Sequence, residues 1–417
     1  MEKITCLVTL HGIGFEQPPN IRNKQGKMES DKEGNWKEFG INTGYADLFH
    51  HHLHTHPRLA PLLSDDPKRS RSHAGENGAI YIQSRWGQDQ ERSSTEEGLK
   101  RLGIWSKDRK EINTDGAPLV ANGKLLSHIA LVYSNLEATD APFDVAIITL
   151  AMSIFSAFRY GSLKGLIWML VTDVKALFRK PDKPRPKRGV SSLPRTDMKA
   201  RHNMRKQHPG ISSSPGLWKT VHYLIDDVGC YICHNEERER VRGFVLEALK
   251  RLAARHDVGQ IILNTHSNGT IIAFDVLRYL PTEVTDKIKC FVTAGSPLRK
   301  YVSLFNWGNQ VQCLYTFEPW INFWDQCDPV ADRLEPPCSW RVGDEVIASM
   351  ETLFSRIEPY NEEPRPIRVK DYPIDNVTHS CGGGLQAHNY WDNEIQFIPE
   401  LVKIICDPIE NECSAPA

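Results

Sequence analysis

The chain has 417 residues, of which 40% are hydrophobic and 25% are charged, a composition typical of globular proteins. This length is sufficient for one large core, or for a core with an insertion. Lysine and arginine total 51 against 52 aspartate and glutamate, and this balance excludes a chain-wide attraction to nucleic acid or to anionic surfaces.

The first predicted element is a strand at residues 4–10, where Ile-Thr-Cys-Leu-Val-Thr-Leu forms a short apolar run. It ends at His11-Gly12-Ile13-Gly14, whose two glycines indicate a turn. The N-terminus has no basic n-region, no long apolar h-region and no small-residue cleavage site. We therefore expect no secretory signal and a cytoplasmic protein.

Residues 1–148 are expected to form the first part of an α/β core, interrupted by long surface insertions. Residues 15–40 are polar and rich in Gly, Asn and Pro, which favours an exposed loop. Residues 79–86 predict a second strand. Residues 143–150 predict either a third strand or the start of the segment that follows.

Residues 149–216 are predicted to form an insertion with an apolar part and a basic part. The run at 149–178 contains four charged residues, so two short amphipathic helices are favoured over a transmembrane helix of about 20 apolar residues. Residues 179–208 hold eleven Lys or Arg, two Asp and four prolines, which predicts a mobile loop. The favoured interpretation is a lid-like helical insertion. The alternative is peripheral contact of 149–208 with anionic lipid.

Residues 217–417 are expected to complete the core and to carry the functional residues. Predicted helices and strands alternate here, in the order helix 235–255, strand 259–264, helix 269–280, strand 288–294, strand 311–318, strand 367–371 and helix 394–405. Such alternation predicts an α/β fold with a mostly parallel, doubly wound sheet.

The strongest functional signal is the segment Thr265-His266-Ser267-Asn268-Gly269, between a predicted strand and a predicted helix. A sharp strand-to-helix turn exposes a serine hydroxyl and aims backbone N–H groups at a reacting carbonyl. The usual pattern is G-x-S-x-G, and Thr265 replaces its first glycine. The alternative is an ordinary junction in which Ser267 only caps the helix. His266 is expected to point away from the turn and pack in the core.

An acid and then a histidine should follow such a serine in the chain. Asp328 lies 61 residues after the serine in a loop, with Asp325 and Asp332 as alternatives. His388 lies 60 residues after Asp328 and before the last predicted helix, where a base on a loop can reach the serine. His379 is the alternative base.

Five segments together resemble the lipase/esterase-like branch of the α/β-hydrolase superfamily: Leu10-His-Gly-Ile-Gly14, Thr265-His-Ser-Asn-Gly269, Ala294-Gly-Ser-Pro-Leu298, Asp328-Pro-Val-Ala-Asp-Arg-Leu334 and His388-Asn-Tyr-Trp391. The resemblance covers roughly residues 4–14 and 217–405. It implies an α/β-hydrolase fold with Ser267 as nucleophile, Asp328 as acid and His388 as base. It also implies an oxyanion hole formed by the backbone N–H groups of Ile13 and Asn268.

The predicted activity is hydrolysis of a carboxylic ester through an acyl-enzyme, on a small-molecule or lipid ester. Amidase, lactonase and acyltransferase activities use the same three residues, and a non-catalytic interaction protein of this fold is the alternative of another class. No cofactor, metal or nucleic acid is expected. Two other motifs are not interpreted as metal or haem sites. The histidines within residues 50–56 favour an exposed helix end, and Cys230-Tyr-Ile-Cys233-His234 favours two cysteines one turn apart on a helix.

Overall fold

The computed structural model describes segments from both ends and the middle of the chain. These are residues 3–12, 53, 55–63, 80–84, 104–105, 111–112, 119–120, 123–133, 231–232, 235–299, 319–328, 330–334, 341–342, 345–346, 355–357, 364–366, 369–379, 386–388 and 390–414. No helix within these segments is both long and apolar enough to cross a membrane.

Strands and helices alternate along these segments. The strands are β1 (Ile4–Leu10), β2 (Ile80–Ser84), β3 (Ile104–Trp105), β4 (Glu111–Ile112), β5 (Leu126–Tyr133), β6 (Val258–His266), β7 (Ile288–Ala294), β8 (Trp320–Trp324), β9 (Arg341–Val342), β10 (Glu345–Val346), β11 (Ser355–Ile357), β12 (Pro364–Pro366) and β13 (Val369–Pro373). The helices are α1 (Asn235–Ala254), α2 (Asn268–Leu277), α3 (Thr282–Thr285), α4 (Asn376–His379) and α5 (Phe397–Ser414), with 3₁₀ helices at Gln386–His388 and Tyr390–Asp392.

Seven of the strands form one sheet in the order β13-β8-β7-β6-β1-β5-β2, and every neighbouring pair is parallel. Six short strands form three separate antiparallel pairs, β3 with β4, β9 with β10, and β11 with β12. The predicted α/β class with a parallel sheet is therefore confirmed. Parallel neighbours need crossover connections, which explains why the sheet strands are far apart in the sequence.

Helices cover both faces of this sheet because its central strands are apolar on both sides. In β1, Ile4, Cys6, Val8 and Leu10 belong to one buried cluster and Leu7 belongs to another, as the alternation of side chains along a strand requires. The first cluster includes the apolar stripes of α1 and α2, and the second includes that of α5. Near-continuous apolar runs are typical of parallel strands buried on both faces.

Two strands of the sheet depart from the sequence prediction. Strand β5 was not predicted, because Ser127 and His128 interrupt its apolar run. Both are buried, and the His128 ring is hydrogen-bonded to the Thr9 hydroxyl across 2.9 Å. Strand β8 lies beyond the strand predicted at 311–318, a range outside the described residues. Its polar Asn322 is also buried in the sheet.

Several sequence predictions fall outside the described residues. These are the exposed loop at 15–40, the third strand at 143–150 and the lid-like insertion at 149–216 with its basic part. Peripheral lipid contact by 149–208 likewise stays a prediction. Liposome flotation of the whole chain against a 179–208 deletion tests it, and equal flotation with anionic lipid would contradict it.

Candidate active site

Five loops whose first residues lie in the described part of the chain begin at one edge of the sheet, because parallel strands all end on the same side. They start at His11 after β1, Ser267 after β6, Gly295 after β7, Asp325 after β8 and Ile374 after β13. Strands β1 and β6 are neighbours, but the chain continues from β1 toward β5 and β2 and from β6 toward β7 and β8. In open α/β sheets, ligands bind in the crevice outside the strand ends at such a reversal of strand order.

Ser267 adopts a backbone conformation that L-residues rarely occupy. Its φ is 53° and its ψ is −128°, and it is the one non-glycine residue with positive φ in the described part of the chain. Such backbone strain costs on the order of 1–3 kcal/mol and concentrates at functional sites. A capping serine instead has extended backbone and a hydroxyl bonded to the helix N–H groups, and Ser267 makes no such bond. Capping therefore does not account for Ser267.

The turn around Ser267 is closely packed, since the residue as a whole is only 2% exposed. Gly12 packs directly against it. A Cβ built on Gly12 would lie 2.3 Å from the Cβ of Ser267 and 3.0 Å from its Oγ. Only glycine therefore fits at this approach of the loop after β1.

The first and last positions of the serine motif have different packing requirements. A Cβ on Gly269 would lie 2.4 Å from the carbonyl oxygen of His11 and 2.6 Å from that of Leu10. The end of β1, rather than the turn itself, thus requires glycine there. Thr265 is accommodated at the position where glycine is usual, because its hydroxyl donates to the Val292 carbonyl at 2.8 Å.

Asp328 is completely buried in the loop after β8, and three donors hold its carboxylate. Its Oδ1 accepts the backbone N–H of Val330 at 2.9 Å. Its Oδ2 accepts the Nδ1–H of His388 at 2.7 Å and the hydroxyl of Tyr390 at 2.9 Å. Burial raises the pKa of Asp328, but attraction to His388 and these hydrogen bonds outweigh it, so the pKa lies below its usual value. The carboxylate stays ionised.

His388 is the histidine that the structure joins to Asp328, and it ends the 3₁₀ helix Gln386–His388. An ionised carboxylate only accepts hydrogen bonds, so Nδ1 carries the proton and the lone pair of the neutral ring lies on Nε2. That Nε2 is buried and has no hydrogen-bond partner within the described segments. A hydrogen bond from the Ser267 hydroxyl to Nε2 is therefore not formed. Such bonds are often long before substrate binds.

The alternative residues occupy other roles. Asp325 accepts the backbone N–H groups of Cys327 at 2.7 Å and of Asn376 at 2.6 Å, which joins its loop to the start of α4. Asp332 is buried in the same loop, and its backbone N–H donates to the Ser296 carbonyl. His379 ends α4 and does not bond to Asp328.

The packing predicted for His266 is present, and it involves the base itself. The His266 ring lies 4.7 Å from the His388 ring between centroids, and its Nε2 donates to the His388 carbonyl at 3.1 Å. Burial, followed by repulsion from His388, lowers the pKa of His266 well below its usual value. His266 therefore stays neutral beside a base that must become charged. Adjacency to Ser267 in the sequence was the one available signal for this contact.

The structure describes one of the two predicted oxyanion donors, Asn268, but not the other, Ile13. Asn268 is the first residue of α2, where backbone N–H groups lack intrahelical acceptors and the helix dipole favours negative charge. Ile13 lies outside the described residues, although the preceding His11 and Gly12 are buried at the edge that carries Ser267. The Asn268 side chain points elsewhere, toward the Tyr133 hydroxyl at 3.5 Å.

Burial is the main reason that the pKa of Asp325 is raised to about 7. The ionisation of Asp325 should therefore make the stability of the protein depend on pH. The folded protein thus retains a proton between about pH 4 and pH 7 that the unfolded chain has lost, so ionisation of Asp325 destabilises the fold as pH rises. Asp325→Asn has no such ionisation. We expect the stability of Asp325→Asn relative to the unmodified protein to improve between pH 5 and pH 8, by on the order of 2 kcal/mol.

Thermal unfolding of both proteins at the two pH values measures this change. The lost acceptor for the N–H groups of Cys327 or Asn376 affects both pH values equally and cancels. A stability difference that does not vary with pH would contradict the raised pKa.

The structure describes only part of the two sequence motifs that contain possible metal ligands, the histidines within residues 50–56 and the segment 230–234. His56 is the histidine of this segment that the structure describes, and its Nδ1 accepts the Arg58 N–H at 3.3 Å. Residues 50–52, 54, 230, 233 and 234 lie outside the described residues. Among those that are described, no group of three His, Cys, Asp or Glu side chains could hold a metal ion.

Comparison of the chain with protein-family models, curated proteins and solved structures finds no match. The edge that carries Ser267, Asp328 and His388 is therefore the feature of the molecule that bears on function.

Proposed function

We propose that this protein is a serine hydrolase with a lipase/esterase-like α/β-hydrolase fold that cleaves carboxylic esters through an acyl-enzyme. One observation carries the proposal: Ser267 has a strained backbone conformation, and its hydroxyl does not cap the helix that follows. It lies at the reversal of strand order, at the same edge as the bonded pair Asp328 and His388. Strain of this kind holds a nucleophile on a sharp turn between a strand and a helix.

Acylation follows from the protonation states of the pair. Asp328 fixes the proton of neutral His388 on Nδ1, so that Nε2 accepts the proton of Ser267 while Oγ attacks the acyl carbon. Asp328 stabilises the imidazolium that forms. Collapse of the tetrahedral intermediate breaks the bond from the acyl carbon to the alcohol oxygen, and the alcohol leaves with the proton from Nε2. The product is an ester of Ser267.

Deacylation repeats these steps with water. Nε2 of His388 takes a proton from water as its oxygen attacks the acyl carbon, and the bond to Oγ of Ser267 breaks. Ser267 regains its proton from Nε2, and the carboxylic acid is released. The negative oxygen of both intermediates would accept the backbone N–H groups of Ile13 and Asn268, each contributing about 3–4 kcal/mol.

The test is hydrolysis of p-nitrophenyl esters of graded acyl chain length by the whole chain and two serine variants. Ser267→Ala is expected to lose at least a thousandfold in kcat, because the nucleophile is gone. Ser127→Ala is the control, since Ser127 is equally buried but lies in β5 and donates to the Leu119 carbonyl. It should keep its activity.

Absence of hydrolysis by the unmodified protein across the series would contradict the proposal and favour a non-catalytic interaction protein. Activity that survives in Ser267→Ala would exclude Ser267 as nucleophile. A parallel series of p-nitroanilides separates an esterase from an amidase that uses the same residues.

A further inference from the structure

We propose that Tyr390 is a positioning residue of this site, whose hydroxyl holds Asp328 in the orientation from which the carboxylate anchors His388. The inference rests on the proposed function, in which Asp328 and His388 act as acid and base. Tyr390 belongs to the 3₁₀ helix that begins two residues after the base, so one short segment of chain supplies both side-chain partners of the acid.

The hydrogen of the Tyr390 hydroxyl has one available direction. The phenol oxygen accepts the backbone N–H of Asp325 at 2.8 Å, and it lies 2.9 Å from Oδ2 of Asp328. A backbone N–H only donates and an ionised carboxylate only accepts, so the phenol must donate to Asp328. The Asp325 N–H therefore donates to the Tyr390 hydroxyl, and the Tyr390 hydroxyl donates to Asp328.

Two donors on Oδ2 and one on Oδ1 fix the plane of the carboxylate. His388 and Tyr390 approach Oδ2, while the Val330 N–H approaches Oδ1. Asp328 and Tyr390 are both completely buried. Deleting the phenol donor would therefore leave a carboxylate lone pair in surroundings that cannot solvate it, and hydrogen bonds to charged groups are among the strongest in proteins.

The Tyr390 ring is held by packing, so its hydroxyl has one position. The ring contacts the Phe397 ring edge-on at 6.2 Å between centroids and lies 5.8 Å from the His266 ring. A Cβ on Gly295 would lie 2.8 Å from its Cε2. Removal of the hydroxyl alone, as in Tyr390→Phe, should leave these contacts unchanged.

Loss of the phenol donor should leave Asp328 with more negative charge, which strengthens its attraction to the imidazolium that His388 forms during catalysis. Among the described residues, the other titratable groups that face the pair are Asp325 behind the phenol and His266 beside the base, with His11 next to His266. Tyr390→Phe leaves each of them in place. The acid limb of the pH profile of kcat/KM should therefore move to higher pH.

The experiment compares Tyr390→Phe with Tyr231→Phe. Tyr231 is also completely buried, and its hydroxyl donates to the buried carboxylate of Asp275 at 3.0 Å, away from the site in the cluster of α1 and α2. Both variants delete a hydrogen bond from a buried phenol to a buried carboxylate, so both should lose thermal stability. Tyr390→Phe should lose more, because it also leaves the Asp325 N–H without its acceptor. Only Tyr390→Phe should lose kcat/KM for ester hydrolysis, by on the order of tenfold, and shift the acid limb upward.

A spectroscopic readout separates this inference from the proposed function. The proton between His388 Nδ1 and Asp328 should give a far-downfield ¹H NMR resonance, assigned by its absence in His388→Gln. We expect Tyr390→Phe to shift that resonance and Tyr231→Phe to leave it in place. An unmoved resonance would overturn the inference, whether or not the protein hydrolyses esters. For an active protein, an unchanged pH profile and kcat/KM would also overturn it. An inert protein with a shifted resonance would overturn the proposed function alone.

Discussion

Replacing Asp328 with asparagine is expected to lower kcat for ester hydrolysis by about four orders of magnitude, with the fold intact. The reason is the position of the Val330 N–H, which donates to Oδ1. The asparagine oxygen should keep that bond, so its NH₂ group replaces Oδ2 and points donors at His388. The ring then accepts at Nδ1 and carries its proton on Nε2, where it cannot take the proton of Ser267.

Circular dichroism and steady-state kinetics on p-nitrophenyl esters measure this effect. Asp332→Asn is the matched control, because Asp332 is buried in the same loop four residues later. It should retain activity within about tenfold, as expected for a change that leaves the proton on Nδ1 of His388. Equal losses in both variants would indicate damage to the loop as a whole and would contradict the assignment of Asp328 as the acid.

Replacing Gly295 with alanine is expected to reduce activity by at least about a hundredfold, because the new methyl group would displace the base. A Cβ at this position would lie 2.7 Å from Cε1 of His388 and 2.9 Å from its Nδ1. The φ of Gly295 is +60°, so alanine also costs roughly 1 kcal/mol in backbone strain. The displaced ring could not keep its 2.7 Å bond to Asp328.

Gly123→Ala separates the two effects of that substitution. Gly123 has a φ of +78°, but a Cβ there would meet no atom within 4 Å. Both variants should therefore lose similar stability from backbone strain, and only Gly295→Ala should lose ester hydrolysis. Thermal unfolding and kcat/KM measured on both give the comparison. Full activity in a folded Gly295→Ala would show that the His388 ring does not need its place against Gly295.

The sequence predicts the strands with long apolar runs, such as β1 and β6, and it fails for β5 and β8, where buried polar residues interrupt a short run. Strand β8 carries Asn322, whose amide oxygen accepts from Thr293 and whose NH₂ group donates to Asp371 and to the Asp332 carbonyl. These partners come from β7, β13 and the loop after β8. Such long-range satisfaction of a polar group cannot be read from a local pattern.

In the candidate active site, too, the sequence predicts the motif residues but not their long-range contacts. The order of the motifs places Ser267, Asp328 and His388 at one edge of a parallel sheet, because every strand in such a sheet ends on the same side. The contacts of His266 and Tyr390 with the base and the acid join residues 122 and 62 positions apart in the chain. No motif marks those contacts. The burial of Ser267 also depends on Gly12, which approaches from the end of another strand.

The most direct test of the central claim is the site of covalent labelling by a fluorophosphonate, which phosphonylates an activated serine. Peptide mapping by mass spectrometry after labelling of the native chain should place one adduct on the peptide that contains Ser267. Ser267→Ala should remain unlabelled, and Asp328→Asn should label far more slowly. An adduct on a different residue, labelling that persists in Ser267→Ala, or an unlabelled native protein would contradict the account.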